Sequence, residues 1–230
     1  SDVCSSDLGN PVNVAVYTVR LGGKASYTGV VGNDKYGELM RRAVADKGVD
    51  VSHLRTEPGS TALSHVTLVD GDRVFGDYEE GVMERFRLTD GDMDFLCGHD
   101  LVVSGLWGRV ENDLPRLRAR GVPVAFDCAD RPEDPAAETA LPYVDYAFFS
   151  NDSADDGALE EILKTIHAKG PRIVVATRGE KGSLAFDGQR FYQGSIVPCQ
   201  VVDTMGAGDS FIAGFLYGLM RGEDIPACMA

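Results

Sequence analysis

The sequence predicts an α/β protein: a doubly wound, mainly parallel sheet flanked by helices, with a small β-lid. Three observations carry the prediction. Short apolar runs at 101–103, 122–126, 145–149 and 172–176 alternate with helical patterns. That alternation marks a parallel sheet covered on both faces. Residues 61–80 instead alternate weakly about Asp70-Gly71-Asp72, which reads as a β-hairpin, either a lid or an edge hairpin of the main sheet. Finally, Gly206-Ala207-Gly208 runs straight into Phe211, Phe215, Leu216 and Leu219, the period of an amphipathic helix.

Taken in order, residues 9–21 suit a helix with Pro11 in its first turn. Residues 24–31 read as one strand, and 34–46 as a helix stopped by Gly48. Beyond the hairpin, helices are expected over 111–120 and 153–168, and two short strands over 183–187 and 190–193. Ligands of doubly wound sheets bind beyond the strand C-termini. Here those ends are 104–108, Asp127, 150–151 and 177–182.

Residues 1–8 show no apolar period, and their back-translation in one frame can match a common sequencing adapter. They are expected to be non-native and are left out of the fold, so that 9–230 forms the domain.

Composition narrows the function. With 230 residues, 43% of them hydrophobic, one substantial core forms, and no run is long enough to span a membrane. A formal net charge of −14 opposes nucleic acid and anionic membranes as partners. Five scattered cysteines without a C-x-x-C pair suggest no zinc site or disulfide framework and fit a reducing cytoplasm.

Two motifs carry chemistry. The Gly-rich turn before the last long helix aims backbone N–H groups at one spot, where the helix dipole favours an anion. Asp209 beside it can orient a hydroxyl and accept its proton, as phosphoryl transfer to an alcohol requires. The same residues also suit a capped tight turn. Upstream, Thr177-Arg178-Gly179-Glu180-Lys181-Gly182 follows a buried strand and could hold phosphate oxygens, though a plain turn between strands would look alike.

Together, in this order and spacing, the two motifs resemble the ribokinase-like sugar kinases of the phosphofructokinase-B type. The stretches Gly9-Asn10-Pro11-Val12-Asn13 and Val31-Gly32-Asn33-Asp34-Lys35-Tyr36-Gly37 are similar to further family signatures. The resemblance implies an ATP-dependent kinase with magnesium. Asp209 would be the base, and Gly206, Ala207 and Gly208 would form an anion hole. Thr177, Gly179, Gly182 and Asn151 would hold ATP, while Gly9 and Asn13 would hold the sugar.

A narrower likeness within the family rests on Asp72-Arg73-Val74-Phe75-Gly76-Asp77-Tyr78-Glu79-Glu80 with Gly105-Leu106-Trp107-Gly108. It implies phosphorylation of O6 of a fructosamine. Asp77, Tyr78 and Glu80 of the lid and a stacking Trp107 would contact this substrate. The lid acids could equally be a solvated face.

The family's N-x-x-E element is absent after Asn151. The magnesium-associated acid therefore stays open, with Asp152 and Asp155 as candidates. Against the family pattern the chain is expected to be truncated at both ends, with an incomplete lid, and a homodimer through that lid is an expected assembly. Alternatives are another sugar or nucleoside kinase (2-keto-3-deoxygluconate, ribose, fructose) and a catalytically silent nucleotide- or sugar-binding module.

Overall fold

The computed structural model describes residues 2–5, 10–69, 72–198 and 206–230. Asp2–Ser5 forms strand β1, and Asn10–Arg20 forms helix α1, whose buried face carries Val14, Ala15 and Val16. The expected strand over 24–31 is two strands, β2 (Lys24–Tyr27) and β3 (Gly29–Gly32). The chain changes partner between them: β2 pairs with β1, whereas β3 pairs in parallel with β4 (Leu54–Glu57) in a separate sheet. A continuous apolar run does not encode which neighbour it pairs with. Helix α2 (Lys35–Ala45) starts at Asp34, whose carboxylate accepts from Gly37 N and from both the N–H and hydroxyl of Thr61. Those bonds hold the Asp34 carboxyl down at about 2.

Strands β5 (Leu63–Val69) and β6 (Asp72–Glu79) form the expected hairpin as an antiparallel two-stranded sheet of their own. It is not an edge of the main sheet. Its turn, Asp70-Gly71, lies outside the described residues.

The remainder alternates helix and strand. Helix α3 (Asp90–Leu96) is held by a capping box between Thr89 and Asp92. There follow β7 (Leu101–Gly105), α4 (Leu114–Ala119), β8 (Val124–Asp127), α5 (Pro135–Ala140) and β9 (Tyr146–Ser150). Next come α6 (Asp156–His167), β10 (Ile173–Thr177), β11 (Ser183–Phe186) and β12 (Phe191–Gly194). Helices α7 (Ala207–Met220) and α8 (Ile225–Cys228) close the chain. Sequence periodicity missed β4, α3, α5 and α8, which run only four to seven residues. Among the described residues no helix is long and apolar enough to cross a membrane.

The main sheet runs β12-β11-β10-β9-β8-β7-β1-β2, parallel from β10 to β2 and antiparallel at β11 and β12. Residues 1–8, left out of the expected fold, thus contribute a strand: Val3 pairs with Ala25 on one side and Leu101 on the other. The gap between β2 and β7 would otherwise leave two rows of backbone groups unpaired, and a short extended segment satisfies both.

Alternate residues of the same strands feed two cores. Val102, Phe126, Phe149 and Val174 pack under α3 to α6, while Val103, Ala125, Phe148 and Val175 pack under α1, α7 and α8. Both faces of the sheet are therefore dry, and the polar work falls to the strand ends.

Candidate active site

The α7 N-terminus stands over the C-terminal ends of β8, β9 and β10. Gly206 caps the helix in the left-handed region (φ +75°), a conformation that costs a residue with a Cβ roughly 1 kcal/mol. The first amide groups of α7 have no partner inside the helix and so remain donors for an anion. Asp209, in the first turn, is 7% exposed. Its carboxylate accepts a 2.7 Å hydrogen bond from Nδ2 of Asn13 on α1, so among the described residues its partner is a distant helix rather than its own helix end. The plain capping reading therefore loses its support. Burial raises the Asp209 carboxyl above the usual carboxylate range, opposed by the Asn13 bond.

A second carboxylate lies close by. Asp127, the last residue of β8, accepts from Asn10 Nδ2 at 2.6 Å and from Ala129 N at 2.9 Å. Burial pushes it up to about 6, and the charge of Asp209 adds to the rise. Asn10 and Asn13 stand three residues apart on one face of α1, and each holds one of these acids.

Two cavities meet at this point. The smaller, about 190 Å³, is lined by Asn10, Asp127, Ala129 and Asp209, with Thr177 and Gly208 in its wall. The larger, about 560 Å³, falls within the size range of small-molecule sites. Thr177 and Gly208 line it too, together with Gly179, Gly182, Ala207, Ile196 and Val197. Ile196 and Val197 are 50% and 74% exposed, an apolar wall open to a planar ligand. Gly182 (φ +82°) is irreplaceable on steric grounds, since a Cβ there would stand 2.1 Å from the Gly194 carbonyl oxygen.

The structure thus brings together Asp209, Asn13, Ala207, Gly208, Thr177, Gly179 and Gly182. Gly9 and residues 203–205 lie outside the described residues. The remaining predicted residues line neither cavity. Asn151 spends its side-chain oxygen on Ala154 N, within its own turn. Asp155 caps α6 through Ala158 N, and Asp152 is exposed. Glu80 pairs with Arg109, and Glu79 contacts His65 at 2.9 Å, so of Asp77, Glu79 and Glu80 two already have side-chain partners. Asp77 and Tyr78 are exposed on β6, and Trp107 is exposed beyond β7 with Arg131 stacked 5.3 Å from its ring. Sequence reasoning named Asp127 only as a strand end near which ligands bind, and gave no role to Asn10 or Ala129.

An anion-ready helix end, a buried carboxylate and two adjoining cavities suit phosphoryl transfer. Residues 5–230 match the model of the pfkB family carbohydrate kinases, and the chain belongs to that family. The fructoselysine 6-kinase of Shigella flexneri is 46% identical over 222 residues, covering 96% of this chain and 85% of that protein. The fructosamine kinase FrlD of Bacillus subtilis (strain 168) is 40% identical, covering 94% and 78%. In three dimensions the chain is similar to Arabidopsis thaliana ribokinase complexed with ribose and ATP, with a TM-score of 0.87 at 22% identity, covering 99% of this chain and 85% of that one.

Proposed function

We propose that the protein transfers the γ-phosphoryl group of ATP to O6 of fructoselysine or a related fructosamine. The observation that carries the chemistry is the junction itself. Asp209 lines the smaller cavity, and Ala207 and Gly208 of the same helical turn line the larger. A nucleotide in the larger cavity and a sugar in the smaller would meet across that turn. Asp209 then accepts the proton of the acceptor hydroxyl, its raised basicity matching the task. The amides of Gly206, Ala207 and Gly208 stabilise charge on the transferring group. Asn13 keeps the Asp209 carboxylate oriented.

Support for the fructosamine acceptor comes from the named activities of the two relatives at 46% and 40% identity. A fructosamine carries a cationic nitrogen, and Asp77, exposed on strand β6, has no partner among the described ion pairs. Magnesium, when bound, neutralises donor phosphates. Among the described residues no group of three or more His, Cys, Asp or Glu could hold a metal, so phosphate and water oxygens would supply most of its ligands. Dimerisation through the β5–β6 hairpin belongs to the same proposal and is read out by sedimentation.

An acceptor panel tests the reading. With ATP and magnesium, fructoselysine should give a kcat/KM at least tenfold above fructose, ribose or 2-keto-3-deoxygluconate. A preference for a plain sugar would reject the acceptor, and nucleotide binding without acceptor-dependent ADP release would point to a silent binding module.

A further inference from the structure

We propose that Asp127 is an acceptor-binding residue, holding a sugar hydroxyl other than the one phosphorylated, and that Asn10 is its positioning residue. This inference rests on the sugar-kinase reading above. Asp127 is 8% exposed, yet it lines the smaller cavity together with Asp209. Its two oxygens are each used once, Oδ1 by the Ala129 amide and Oδ2 by the Asn10 carboxamide. A carboxylate oxygen has room for a second donor. No cation is paired with Asp127 among the described ion pairs, so the charge is buried with two neutral partners. A buried carboxylate so placed is best completed by hydroxyl donors entering the cavity, which a polyol brings in number.

The turn that follows Asp127 agrees. Ala129 adopts a left-handed backbone (φ +50°), a conformation that disfavours a residue with a Cβ, and also lines the cavity. Asp127 holds that strained turn through Ala129 N and holds α1 through Asn10. Asn10 in turn lies one helical turn from Asn13, the partner of Asp209. One helix face therefore sets both carboxylates, one for the reacting hydroxyl and one for a neighbour.

A purely structural role would tie α1 to β8 and nothing more, so the test separates the two. Wild-type protein is first assayed with ATP and its preferred sugar; failure to turn over any sugar would reject the underlying reading rather than this inference. Asp127→Asn should then raise the sugar KM at least tenfold while the ATP KM moves less than twofold. The exchanged pair Asp127→Asn with Asn10→Asp should recover the melting temperature but not the sugar KM. In a panel of monodeoxy sugars, one analogue that is weak on wild type should show no further loss on Asp127→Asn, or on the exchanged pair should the single variant not fold. An unchanged sugar KM, recovery of both properties by the exchanged pair, or equal further losses for every deoxy sugar would overturn the assignment.

Discussion

The junction at the strand ends and the β5–β6 hairpin are built by opposite rules. At the junction, Asp209 and Asp127 are buried, each tied to an α1 carboxamide, and both carboxyls are raised by burial. On the hairpin, Glu79 faces His65 with both side chains more than half exposed, and Glu80 faces Arg109 at the sheet's rim. Exposed pairs of that kind contribute at most about 1 kcal/mol. The difference teaches where each task can reside. Proton transfer needs a dry, preorganised carboxylate, whereas choice among acceptors can rest on a surface strand that adapts.

The comparison can be broken from either side. The largest effect is expected for Asp209→Asn: kcat should fall by roughly 10²–10⁴ with ATP affinity nearly unchanged, measured by steady-state kinetics and calorimetry. Gly208→Ala comes next. A Cβ there meets nothing within 4 Å, yet Gly208 walls both cavities. Thermal stability should hold or rise slightly while turnover drops at least tenfold. A variant that loses stability and activity together would make Gly208 a folding residue.

A third effect is on stability. Asp127 is raised from an ordinary 3.8 to about 6, so the folded state holds a proton that the unfolded chain has released between those values. Stability from this group is therefore lost as pH climbs from about 4 to about 6, by about 3 kcal/mol, and is flat above. Denaturant unfolding at about pH 4 and pH 7, on either side of that rise, should show a larger loss on going to pH 7 for wild type than for Asp127→Asn. The smallest effect belongs to the hairpin. Asp77→Asn should raise the KM for a fructosamine severalfold and leave that for fructose unchanged, which a two-substrate comparison would read directly.

Much of this was legible in the sequence where the signal is local. Gly206 to Asp209 and Thr177 to Gly182 lie within single turns, so their residue order already describes a helix end and a strand end. The strands at 101–103, 122–126 and 172–176 were legible because both of their faces are buried. The pairing of Asp127 with Asn10 was not, because 117 positions separate them and only the fold brings the start of α1 to the end of β8. Glu80 read as a free acid because its partner, Arg109, enters from the loop beyond β7. The strand at Asp2–Ser5 was hidden for a similar reason: four residues without an apolar period become a strand only when two neighbours need one.

The most direct test of the central claim follows one turnover to its product. Wild-type protein, ATP and fructoselysine are combined with magnesium, and the sugar product is examined by phosphorus–proton correlation NMR. The account predicts one ADP released per sugar consumed and a single phosphate on O6. A phosphate at another hydroxyl, or ADP released without any phosphorylated sugar, would contradict it.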